Sequence, residues 1–84
     1  MEERRLELER AVTVHGRELI PIAWTVGRPV MRGHALNVAM CREALGVIVQ
    51  DDSGLRVLMA DGRALTTAQL MAEQPSLRDA VSAL

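Results

Sequence analysis

Two histidines, one cysteine and three closely placed aspartates are the residues through which this 84-residue chain could do chemistry. A cysteine beside a histidine can supply a thiolate nucleophile, and clustered His, Cys and carboxylate side chains hold metals. His34 and Cys41 are seven residues apart, which puts them on opposite faces of a strand and matches no common ligand spacing. His15 stands far from both in sequence, in a His15-Gly16-Arg17 segment that reads as a turn. The expectation is therefore a buried, structural Cys41, with no metal, no cofactor and no catalytic residue. An enzyme built on Cys41, His34 and the aspartates is the least favoured class.

Asp51, Asp52 and Asp61 could bind calcium or transfer protons, but the EF-hand spacing is absent. Aspartate is also a favoured turn residue, because its carboxylate accepts from its own backbone two residues on. These three are read as turn formers. Arg28, Arg32 and His34 flank Gly27, Pro29 and Gly33 and could present cations to an anion. No GxGxxG or GxxxxGK[ST] phosphate cradle accompanies them, so this anion site is the alternative reading, that of a small-ligand-binding regulatory domain.

Hydrophobic residues make up 49% of the chain, yet Phe and Tyr are absent and Trp24 is the only aromatic. The core must be aliphatic. The ten basic residues, all arginine, are offset by eleven acids, for a net charge of −1. That balance gives no electrostatic reason to bind nucleic acid, and one tryptophan cannot build a stacking platform. No apolar run reaches membrane-span length and the first residues lack a signal-peptide core, so a cytoplasmic protein without membrane association is expected. A lone cysteine forms no internal disulfide. A core of this size supplies only a few kcal/mol (on the order of 3–5), so self-association is its expected supplement.

The elements follow from glycine-centred apolar runs. Leu6, Leu8, Val12 and Val14 alternate with period two, which predicts a strand over residues 6–14, with residues 1–5 frayed. A three-residue connection at His15-Gly16-Arg17 would set Val12 opposite Ile20 and Leu8 opposite Trp24. That puts Leu8, Val12, Ile20, Ile22, Trp24 and Val26 on one face, with Arg10 the exception. Pro21 cannot donate to a ladder and calls for an edge or a gap in pairing there. Gly27-Arg28-Pro29 and Arg32-Gly33 are expected to bend or interrupt the chain. Residues 34–44 fit strand or helix and lean to strand. In the second hairpin an Asp52-Ser53-Gly54 loop would pair Val49 with Val57 and Gln50 with Arg56, with the glycine in the left-handed region. This hairpin is apolar on both faces and is placed centrally. Asp61-Gly62 can turn into a short strand at residues 63–65. Thr66 and Gln69 have the spacing of a capping box, a helix then runs to Gln74, and Ser76 is placed to cap a last helix bearing Leu77, Ala80, Val81 and Leu84.

Two segments, Val12–Ile22 and Ala44–Leu58, resemble the spore-germination protein W family of small β-rich bacterial proteins. The first is similar to that family's strand, glycine turn and apolar-Pro-apolar strand, and the second to its following hairpin. Together they cover about a third of the chain. Residues 27–43 stand where that family carries a glycine-rich middle, and the C-terminal helices are additional. The resemblance implies a β-rich fold and no catalytic residues.

The sequence thus reads as one α+β domain over residues 1–84: an antiparallel β-meander of four to five strands, then two short helices within residues 66–84. The expected role is non-enzymatic, a homo-oligomer or a module that binds a protein partner. Its interface candidates are Trp24, Ile22, Leu77, Val81 and Leu84, because so small a chain cannot cover both sheet faces with two helices.

Overall fold

The computed structural model describes the backbone of residues 3–32 and 35–84, and the side chains of residues 3–27 and 41–84. The chain forms an antiparallel sheet followed by two short helices, an α+β fold. The strands are β1 (Glu3–Leu8), β2 (Val12–Val14), β3 (Arg17–Arg32), β4 (Ala35–Asp51), β5 (Gly54–Met59) and β6 (Ala64–Leu65). β1 and β2 lie end to end along the same side of β3, and the order across the sheet is β1/β2, β3, β4, β5, β6. The meander expected from the sequence is present. Helices α1 (Thr67–Glu73) and α2 (Arg78–Ser82) follow, joined by a 3-10 turn at Pro75–Leu77.

The first hairpin turns in two residues, not three. His15 and Gly16 both have positive φ, 51° and 75°, the requirement of a type I′ turn whose twist matches the strands it joins. Val14 then pairs with Arg17 and Val12 with Leu19, whereas Leu8 pairs with Ile22 and Leu6 with Trp24. A bulge reconciles the two registers: Arg10 and Ala11 together stand against Ile20. Leu6 and Leu8 therefore keep the core face while Val12 is turned to the other, contrary to the expected register. The Glu9 N–H donates to the Pro21 carbonyl at 2.8 Å, so the side on which Pro21 lacks a donor is the interrupted one. Pro21 is tolerated at a gap in pairing.

The second hairpin is shifted by one residue from its expected register. Ile48 pairs with Val57, Val49 with Arg56 and Gln50 with Leu55. The Asp51 carboxylate accepts from the Ser53 N–H at 2.8 Å and from Arg56 at 2.7 Å, which closes the turn at Asp52-Ser53. Gly54, at φ 106°, is the left-handed glycine, but it pairs with Asp51 at the last rung.

Three further expectations are corrected. β3 runs without a break through Gly27, Arg28 and Pro29 to Arg32, because β4 pairs with it along that whole length. Glu3–Arg5 do not fray; they pair with residues 25–27 of β3. Ser76 caps nothing: α2 follows the 3-10 turn, with Leu77 in the N-cap position and no side-chain cap bond. Residues 35–44 are strand, as the sequence favoured. The Thr66 capping box forms as expected, Thr66 Oγ1 accepting from the Gln69 N–H and the Gln69 side chain from the Thr66 N–H.

The core lies between one sheet face and the helices. Ile20, Ile48 and Val57 form one buried row, and Ile22, Gly46 and Met59 form the next. Leu70, Leu77 and Val81 descend on them from the helical segment, and Leu6 closes the β1 side. Gly46 sits there for steric reasons: a Cβ on it would lie 2.6 Å from the Leu58 carbonyl oxygen. β4 bulges beside it, since Ile22 pairs with Gly46 and Ala23 with Ala44, leaving Leu45 as the extra residue.

Candidate interaction surface

The sheet face turned away from the helices is built by alternation from the same strands. Val12, Leu19, Val49 and Arg56 form one row across β2, β3, β4 and β5. Pro21, Val47, Leu58 and Ala64 form the next, reaching β6. Val14 and Arg17 pair at the turn end of this face. The consequence shows in exposure. The exposed large hydrophobics among the described residues are Val12 at 54%, Val14 at 41%, Leu58 at 49% and Leu84 at 44%. Three of these four lie on the helix-free face, with Leu19, Pro21 and Val47 half-buried between them. Val49 is buried on this face, flanked in its row by Leu19 and Arg56.

Charge borders the patch at its turn end. Asp51 lies 2.7 Å from Arg56 and 3.8 Å from Arg17, an ion trio across three strands. The two hairpin turns meet at this end and form an open polar depression of about 290 Å³ lined by His15, Gly16, Arg17, Asp51, Asp52 and Ser53. Its central carboxylate is committed to two guanidiniums and a backbone N–H, so the depression reads as a clasp between turns. Asp61 plays a similar part at the β5–β6 turn, accepting from the Arg63 backbone N–H at 3.0 Å and from Arg63 Nε at 2.7 Å. Those bonds, the backbone one first, hold the Asp61 carboxyl below its ordinary range, and Glu73 and Asp61 together push the Arg63 guanidinium up. Asp51 and Asp61 are the turn residues the sequence indicated.

The residues singled out in the sequence are dispersed by the fold. Ile22, Leu77 and Val81 are buried in the chain's own core and offer a partner no surface. Trp24 is half-buried against that core, under the Arg4 guanidinium at 5.0 Å from its ring centroid, and Arg4 in turn reaches Glu43 at 3.3 Å. Leu84 is exposed at the chain end, away from the sheet patch. Cys41 is exposed on β4, not buried, although it pairs with the fully buried Val26. The side chains of Arg28 and Arg32, and all of His34, lie outside the described residues, so the anion-site reading falls there too. Among the described residues no group of three His, Cys, Asp or Glu side chains could hold a metal, and no helix is long and apolar enough to cross a membrane.

Sequence reasoning missed Val12, Val14 and Leu58 as surface. The signal for the first two was Arg10, the single polar intruder on the expected apolar face, which marks the bulge. Comparison of the chain with protein families, curated proteins and solved structures returns no match.

Proposed function

We propose that the protein is a non-enzymatic, self-associating module in which the helix-free sheet faces of two copies pack together. One observation carries this reading: among the described residues, three of the four exposed large aliphatics gather on that face. The patch is also self-complementary. Val12 and Val14 lie toward the β2 side and Leu58 toward the β5 side, so a two-fold axis between them sets each against its opposite in the second copy. Face-to-face sheets pack about 10 Å apart with their side chains interdigitating, which suits short aliphatic residues and a core without aromatics. The Arg17, Asp51 and Arg56 trio then falls at the rim, where charge is solvated.

Equilibrium sedimentation across a wide concentration range tests this. Wild type should associate, and Leu58→Asp, which places a carboxylate at an exposed site of the face, should lower the mass without unfolding the chain. A Leu58→Asp protein with the mass of wild type removes the face from consideration, and a wild type that is monomeric throughout removes self-association itself.

A further inference from the structure

We infer that the outer edge of β4, residues 36–44, pairs antiparallel with the same edge of a second copy, about a two-fold axis at Met40. This rests on the self-association reading and adds to it a second, independent contact.

Among the described residues, the sheet narrows to two strands beyond residue 27. β1 accompanies β3 only to Gly27, and β5 accompanies β4 only over Gly46–Asp51, with the Ala60 N–H donating to the Leu45 carbonyl just beyond. Five rungs, from Arg28↔Ala39 to Arg32↔Ala35, have no third strand on either side among the described residues. A two-stranded ribbon is marginally stable in water, and this one carries no helix of its own. It is also rich in apolar residues: Pro29, Val30, Met31, Leu36 and Val38. Such a ribbon needs a neighbour.

Backbone direction decides which edge receives it. The Pro21 carbonyl accepts from Glu9, so odd-numbered residues of β3 turn their backbone groups toward the β1 side. Pro29 shares that parity, so β3's outer edge lacks a donor where a neighbouring strand would need one. The β4 edge has no such guard. Ala23 pairs with Ala44, and since Ala23 faces β1, Ala44 and then Arg42, Met40, Val38 and Leu36 turn their N–H and C=O groups outward. None of these is proline. A long, unguarded edge is a template for strand addition.

The occupant follows from geometry. In antiparallel self-pairing, an outward-facing residue must meet another outward-facing residue, so the two partner numbers must sum to an even number. The free edge runs from just after residue 35 to Ala44, where Ala60 takes over. The even sum that uses all of it is 80, which sets Leu36 against Ala44, Val38 against Arg42 and Met40 against itself. Every outward group on the edge finds its complement in a second copy, with no residue left over. In this register Cys41 stands opposite Ala39 of the second copy. The two Cys41 Cα atoms are then about 8 Å apart, from a two-residue offset at about 3.4 Å per residue and strands about 5 Å apart.

Cys41 is exposed and is the chain's sole cysteine, so it reports this contact without mutation. Treating the full chain with a short bismaleimide should give a covalent dimer, in wild type and equally in Leu58→Asp. Met40→Lys and Met40→Glu each set like charges across the axis and should abolish the cross-link. Mixing the two variants should restore it, because residue 40 meets its own counterpart. Circular dichroism confirms that each variant is folded. A mixture that cross-links no better than either variant overturns the proposal. So does the absence of cross-linking in wild type, which would assign the edge to a strand of another protein, while a mass that still responds to Leu58→Asp would leave the face reading standing. Cross-linking that disappears in Leu58→Asp would make the Cys41 contact a by-product of face packing, and it too overturns the edge.

Discussion

Gly46 shows how a single missing methyl group can set the spacing of a sheet. The nearest atoms to a Cβ built there belong to the backbone of β5, the Leu58 oxygen at 2.6 Å and the Met59 Cα at 3.1 Å, so no rotamer change can relieve the contact. Gly46→Ala is expected to cost about 1–3 kcal/mol, the range of core overpacking. A urea midpoint that falls at constant m would verify it, and an unchanged midpoint would show that β4 and β5 separate freely. The sequence marks this glycine only as part of an apolar run, because its constraint comes from a strand paired twelve or more residues away. His15 is a similar case. Its place beside Gly16 reads as a turn, but the turn's length depends on whether a histidine will accept φ 51°, which spacing does not encode. The Arg10 bulge then follows from that choice, and with it the outward turn of Val12 and Val14.

At the scale of elements, the legible parts were those decided locally. The Thr66 capping box, the β6 turn at Asp61-Gly62 and the alternation of β1 depend on neighbours a few residues apart, and all are present. The full length of β3 and β4 was not legible, because Gly27 and Pro29 are local breakers that long-range pairing overrides. The β5–β6 connection leads to a pH prediction. Asp61 is held below its ordinary range by the Arg63 backbone N–H and then by the Arg63 side chain, which also reaches Glu73 on α1 at 2.9 Å. A carboxylate whose folded pKa is lowered stabilises the fold above its unfolded pKa, and that contribution is lost as pH falls through the folded value. Asp61→Asn lacks the contribution at every pH. The stability gap between wild type and Asp61→Asn should therefore narrow as pH drops from 7 to below the carboxylate range. Parallel urea midpoints over that interval would refute the link.

At the scale of the whole molecule, extents of 54 × 28 × 25 Å describe a small helix-backed body drawn out along two long strands. The apolar surplus was legible from 49% hydrophobic content in 84 residues, whereas its location was not, since it depends on both registers. A two-fold axis at the β4 edge runs perpendicular to the sheet, so it leaves both helix-free faces on one side. Two such pairs can then stack, giving four copies with the symmetry of a closed dihedral assembly. Wild type should weigh as four copies, Leu58→Asp and Met40→Lys as two each, and the double variant as one, all measurable by light scattering. Equal masses for the single variants and the double variant would exclude two separate contacts. Pro29 has a further consequence. With a donor missing from the β3 edge, charged residues along β1 and only two residues in β6, each copy can polymerise through one edge alone, and the pairing that uses it is self-terminating. A protein with this much bare strand can thereby stop at a countable assembly and avoid the fibre that its composition would otherwise invite.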